Sequence, residues 1–275
     1  MAHAKAVTSF VLIDSVSQPS DTARTAILNR YYTAGFALFE LNLDDQNPAD
    51  ALNDFTQALN LGSAFVPPLY QFSNSTLYDD LGISTLAAAQ EVDSHSRHPV
   101  FGSTDSIELH TDGTLQEMGE VPTSVLFCVR PADHGGATTV FQAVDAFFAL
   151  EEADPIVASA LLDSRALTKQ ASVNGSRETC TGPVFSYRNG ELVTRYSVTD
   201  RDRWNIYEVE HLAEAKNEMA RLVQLHTVYF HQISLGVGQG IILANDRVAH
   251  GRTGFSNSSY QTRRMLRVLF ACKPH

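Results

Sequence analysis

The sequence predicts a mainly β protein, a jelly-roll barrel with flanking helices. Two observations carry that prediction. From Ile107 to the C-terminus the chain reads as short apolar or alternating runs split by Gly, Asn and Asp turns, the mark of many short strands. Before that point helical spacing alternates with a buried apolar run, an α/β opening. The 275 residues carry no internal repeat, low-complexity tract or linker, so one domain over 1–275 is expected.

Taken in order, Ser20 and Asp21 cap a helix through TARTAILNRYY, Gly35 breaks it, and FALFEL reads as a buried strand. A second helix is expected from 48 to about 59. The stretch 64–101 is irregular, with Pro67, Pro68 and one helix expected around TLAAAQEV. Long irregular segments in compact domains often serve as lids or binding loops. SVLFCVRP and ATTVFQA then read as strands separated by ADHGG, and VDAFFALEEAD and PIVASALLDSR as helices. FSYR and LVTRYSV form a hairpin about Asn189-Gly190, a pair suited to two positive φ angles. Residues 207–227 give the longest helical pattern, and HQISL, GIILAND and RMLRVLFACK supply the closing strands.

A formal net charge of −11 argues against binding nucleic-acid backbones, which takes clustered Lys and Arg. Cys128, Cys180 and Cys272 are widely spaced with no CxxC pair, which reads as three reduced thiols in a cytoplasmic protein. The N-terminus shows no apolar core followed by a small-residue cleavage site, and no apolar stretch is long enough to span a membrane. The expected partner is a small molecule, with no nucleic acid or membrane; a homo-oligomer stays open.

Chemistry enters at Ile107-Glu108-Leu109-His110-Thr111-Asp112. Residues two apart on a strand face the same way, so His110 and Asp112 point together. An imidazole and a carboxylate on one face are two thirds of a facial triad for non-haem iron(II). Alone, the same pair fits a surface strand with a capping Asp. GIILANDRVAHGRTGF adds a buried strand, a polar turn and then His250, a third ligand that a barrel can bring across; otherwise His250 is a strand-end imidazole bonded to backbone. The final strand carries Arg263, Arg264 and Arg267. Period two groups Arg263, Met265 and Arg267 on one face and Arg264, Leu266 and Val268 on the other, and period alone does not say which enters the barrel. Inward guanidiniums need anions, and Arg binds a carboxylate in a bidentate fork.

Together HTDGT at 110–114, GGAT at 135–138, NDRVAHGRTGF at 245–255 and the RxMxR strand at 263–267 resemble the taurine dioxygenase family. That family also holds clavaminate synthase and γ-butyrobetaine hydroxylase. The opening NRYYTAGFALFEL looks like the family's as well. The resemblance implies a double-stranded β-helix of the cupin-like kind. It also implies an Fe(II)- and 2-oxoglutarate-dependent dioxygenase that consumes O2, oxidises an unactivated C–H and releases succinate and CO2. It carries iron ligation onto His110, Asp112 and His250, and 2-oxoglutarate binding onto Thr138 and Arg263, with Arg264 as the competing register. Asp112 stands where related halogenases have a small residue, so hydroxylation is expected before halogenation.

The prime substrate is expected to be an amino acid or related carboxylic acid, by family analogy and a basic pocket. Arg267, Arg195 and Trp204 are the candidate substrate contacts; for the last two, a hairpin surface is the competing reading. Residues 172–183 are a candidate lid loop. Desaturation or ring formation by the same chemistry, a zinc hydrolase and a non-catalytic cupin-like barrel are the alternatives.

Overall fold

The computed structural model of the chain describes residues 8–71, 77–87, 102–173, 176–224, 227–257 and 262–275. β1 (Val11–Ile13) leads into α1 (Asp21–Ala34). The Ser20 hydroxyl accepts from the Ala23 amide at the start of α1, and Gly35, at φ 78°, ends it in the left-handed region. β2 (Phe36–Leu41), α2 (Pro48–Ala58), a short α3 (Pro68–Gln71) and β3 (Ser84–Ala87) follow. Next come β4 (Ile107–His110), β5 (Thr123–Arg130), β6 (His134–Gly135), β7 (Thr138–Phe141), α4 (Ala143–Ala153) and α5 (Pro155–Ser159). β8 (Leu167–Val173), β9 (Ser176–Gly182), β10 (Phe185–Arg188), β11 (Glu191–Thr194) and β12 (Arg203–Trp204) precede α6 (Leu212–Leu222). The chain closes with β13 (Phe230–Ile233), β14 (Gln239–Ala244), β15 (Ala249–Arg252), β16 (Phe255–Ser256) and β17 (Arg264–Phe270).

Two sheets make the jelly-roll core. One has the order β1-β2-β14-β5-β17-β3 and the other β13-β7-β15-β4. Side-chain alternation sorts the larger sheet's residues between two apolar clusters. Val125, Phe127, Ile242, Leu266, Val268 and Phe270 face α1 and α2, packing with Ile27, Tyr31, Leu52 and Phe55. Leu126, Cys128, Ile241, Leu243 and Met265 point the other way and meet Val140 and Ile233 of the smaller sheet. α4, α5 and α6 cover the other side through Phe147, Val157 and Met219. Arg267 shares the inter-sheet face of β17 with Met265, which explains a cation between the sheets.

Three expectations change. Residues 85–87, the start of the expected TLAAAQEV helix, belong with Ser84 to β3, paired with β17 from Arg264↔Ala87 to Arg267↔Ser84; tertiary pairing overrides the helix preference of Leu and Ala. Residues 88–92 lie outside the described residues. The lid loop expected over 172–183 is the β8–β9 hairpin, in register from Leu167↔Gly182 to Val173↔Ser176. Among the described residues the longest helix is α1 with 14 residues; α6 has 11, because residues 207–211 turn instead, ending at His211 with φ 61°. The hairpin about Asn189-Gly190 forms as read, with φ 51° and 84°. Among the described residues no helix is long and apolar enough to cross a membrane, and all three cysteines are free.

Candidate metal centre

β4 ends at His110, and its neighbour β15 places His250 directly opposite in the ladder. The imidazole centroids are 4.7 Å apart. Asp112 follows two residues after His110, and its Oδ2 lies 3.6 Å from His250 Nε2. Ligand atoms of all three residues lie within 4.8 Å of one another, so the group could hold one metal ion.

The surroundings prepare each group. His110 Nδ1 sits 2.9 Å from the Glu108 carbonyl, an acceptor that calls for a proton on Nδ1 and leaves Nε2 a lone pair. His250 Nδ1 is buried and has no hydrogen-bond partner among the described residues. Burial pushes His250 down to about 3, against the pull of Asp112, and lowers His110 as well, so both rings are neutral near pH 7. Burial alone would raise Asp112; Arg267, the two imidazoles and the Ser124 hydroxyl outweigh it and hold the carboxyl well below the usual carboxylate range. Two neutral imidazoles and one carboxylate with no protons to shed suit a divalent first-row metal.

Asp112 is fixed from three sides. Arg267 Nη1 donates to its Oδ1 at 2.7 Å and Ser124 Oγ to its Oδ2 at 2.8 Å. The Asn245 side chain accepts from the Asp112 amide at 2.8 Å and donates to the Asp112 carbonyl at 3.2 Å and the Val121 carbonyl at 2.8 Å. Sequence reasoning missed Ser124 and Asn245 as supports. Asn245 had a signal in its place five residues before His250; Ser124, inside a β run, had none.

Two cavities border the centre, and His110 and Arg267 line both. The smaller is also lined by His250, Thr138, Arg263 and Met265. Arg263 is only 6% exposed, whereas Arg264 is exposed. The Arg263 guanidinium donates no hydrogen bond among the described residues and stands 5.3 Å from the Phe255 ring centroid. Arg252, 4.5 Å from the same ring, donates to the Ser103 and Asp105 carbonyls. Burial pushes both Arg263 and Arg252 down to about 10, and neither has a carboxylate partner among the described residues. Gly136 leaves room for Arg263: a Cβ there would stand 3.1 Å from its Nε. The larger cavity is lined by Tyr70, Asp112, Lys169, Arg201 and Gln116 besides the shared pair. Arg267 donates from Nη2 to the Tyr78 hydroxyl at 3.0 Å.

Arg195 and Trp204 do not reach either of these cavities. The buried Arg195 donates to the Cys180 carbonyl at 2.9 Å, and Trp204 Nε1 donates to the Ser197 carbonyl at 2.8 Å inside the helix-covered core. Their shared mouth was read from a stretch that folds back after β11, carrying both side chains inward.

The profile of the taurine catabolism dioxygenase TauD, TfdA family matches residues 7–269, nearly the whole chain. The chain belongs to the TauD/TfdA family. It is an iron- and 2-oxoglutarate-dependent oxygenase of that family, acting on a small molecule. It is 33% identical to a uridine-5′-phosphate dioxygenase of Amycolatopsis sp. over 92% of this chain and 90% of that one. A uridine-5′-phosphate dioxygenase of Streptomyces sp. is 29% identical over 95% and 93%. Among solved structures the TauD/TfdA chain superposes on an asparagine oxygenase bound to Fe(II), hydroxyasparagine and succinate, with TM-score 0.63, 16% identity and coverage of 91% and 84%. It also superposes on the non-heme iron oxygenase OrfP with Fe and α-ketoglutaric acid, with TM-score 0.64, 15% identity and coverage of 92% and 80%. At such identities these two show the shared fold.

Proposed function

We propose that this TauD/TfdA chain, as a single oxygenase domain, holds iron(II) on His110, Asp112 and His250. In this reading 2-oxoglutarate lies in the smaller cavity with its distal carboxylate on Arg263 and Thr138, and a nucleoside 5′-phosphate enters the larger one. The observation that carries the reading is that a buried guanidinium, unpaired among the described residues, and a second cavity lined by three cations and two carboxylates meet at one cluster of three ligands. Arg263 needs an anion, and a bidentate carboxylate supplies it. Thr138, 2% exposed and paired with Arg252 across β7 and β15, lines the same cavity.

The substrate class rests on the relatives' names and on charge. The sequence alone favours an amino acid or related acid. The two uridine-5′-phosphate dioxygenases match over nine tenths of the chain, and the larger cavity carries Lys169, Arg201 and Arg267. Those cations suit a phosphate monoester. Three free thiols fit the cytoplasm.

Iron with 2-oxoglutarate and oxygen supplies the oxidation of an unactivated C–H, with succinate and CO2 released. The protein's own work is placement. Arg267, Ser124 and Asn245 keep Asp112 ionised and oriented. The facing sheets exclude water from the Arg263 end. The substrate cavity aims one C–H at the metal, where a fixed near-attack geometry lowers the barrier.

A panel of nucleoside 5′-phosphates, free nucleosides and amino acids, incubated with enzyme, iron(II), 2-oxoglutarate and air, tests the reading by succinate release. Uridine 5′-phosphate is expected to raise succinate at least tenfold over the substrate-free rate. Stimulation by amino acids but by no phosphate ester would overturn the substrate class.

A further inference from the structure

Lys169 stands in β8 with its side chain buried, 2% exposed, yet it lines the larger cavity. An ammonium has three donors. Two reach Thr111, the carbonyl at 2.9 Å and the hydroxyl at 3.3 Å. Thr111 lies between His110 and Asp112, so the charge sits against the backbone joining two proposed ligands. Among the described residues Lys169 pairs with no carboxylate. Asp202 attracts it, but the Asp202 oxygens already accept from the Gln170 amide and the Ser197 and Thr199 hydroxyls. Arg195 repels it.

A buried cation without a counter-ion is costly, and a neutral donor would serve Thr111 as well. Burial pushes Lys169 down to about 8, so it is still mainly charged at neutral pH. The charge faces a cavity that also holds Arg201 at its exposed edge and Arg267 on its wall, with Asp112 and Asp202 as the carboxylates among its lining. Arg267 is ion-paired with Asp112 at 2.7 Å, whereas among the described residues Lys169 forms no ion pair and feels Asp202 and Asp112 only at longer range.

We propose that Lys169 is the residue that recognises the phosphate of the substrate, using its remaining donor and its charge, and so selects a phosphate monoester over the free alcohol. The proposal rests on the nucleotide reading above. A compact ammonium suits a phosphate dianion as a point charge, and the tie to Thr111 fixes that charge beside the metal site.

The test is equilibrium binding to protein loaded with iron(II) and 2-oxoglutarate without oxygen, with uridine 5′-phosphate, uridine and inorganic phosphate as probes. Lys169→Gln keeps a donor for Thr111 and removes the charge; Lys169→Arg keeps the charge. Loss of one charge-assisted contact predicts about 10- to 100-fold weaker uridine 5′-phosphate binding for the Gln variant. Uridine and 2-oxoglutarate binding should stay within about twofold, and the Arg variant should recover part of the loss. Equal binding of uridine 5′-phosphate by wild type and Lys169→Gln overturns the proposal. So does a parallel loss for uridine 5′-phosphate, uridine and 2-oxoglutarate, which would mark a purely structural lysine. If uridine 5′-phosphate yields no succinate but wild type still binds inorganic phosphate tenfold better than Lys169→Gln, the nucleotide reading fails and the anion site stands.

Discussion

Neighbouring arginines on one strand end with opposite fates. Arg263 is buried against Phe255 with no counter-ion among the described residues, and Arg264 is exposed. Arg263→Gln should raise the 2-oxoglutarate concentration needed for half-maximal turnover by about 10- to 100-fold, the worth of a charge-assisted contact. Arg264→Gln should leave it unchanged, and a kinetic titration of both variants decides; the reverse pattern would shift the register by one residue. The HxD pair was legible because its two members lie two residues apart, but β4 ends at His110, so Asp112 is oriented by Arg267, Ser124 and Asn245 and not by strand periodicity. Asn245 and Lys169 were not legible, because their contacts to the HxD turn span 133 and 58 residues. No local pattern encodes a contact at such range.

Strand pairing sets the geometry that individual residues use. Gly251 lets β15 close on β4: a Cβ there would stand 2.4 Å from the Ile107 carbonyl oxygen. Gly251→Ala should therefore push His250 away from His110. Expected are a loss of about 1–3 kcal/mol in stability from overpacking and weaker iron binding, read by thermal unfolding and metal titration. Normal values for both would show that the approach of the two strands is not critical. β13 offers a pH test. Burial lowers His231, half-buried and 3.1 Å from Gln142 Oε1, from its ordinary 6.5. Its folded form binds a proton less readily than its unfolded form, so its contribution is present above about 6.5 and is lost as pH falls below. Wild type should lose stability relative to His231→Gln between pH 6.5 and 5 in denaturant titrations, and a constant gap would count against the burial. The same scale shows why β3 was read as helix. Its residues have ordinary helix preferences, and only the exposed flank of β17 makes them a strand.

At the scale of the whole molecule, the proposed metal site lies where the two sheets meet. β4, β15 and β7 of the smaller sheet supply His110, His250 and Thr138, while Arg263 and Arg267 arrive at and along β17 of the larger. This two-sided assembly was legible as a fold, because alternating strands after an α/β opening demand facing sheets. It was only partly legible as a site. Arg195 and Trp204 read as cavity residues from their place near a hairpin, yet the path of the chain after β11 buries both elsewhere. Everything proposed for the TauD/TfdA chain depends on one ion shared by His110, Asp112 and His250. The most direct measurement is equilibrium dialysis with iron(II) under nitrogen, comparing wild type with His110→Ala, Asp112→Ala and His250→Ala, each first shown to be folded by circular dichroism. About one iron per chain is predicted for wild type, with affinity reduced at least tenfold in every variant, as expected when one of three ligands is lost. A folded variant that binds iron as tightly as wild type would contradict the account.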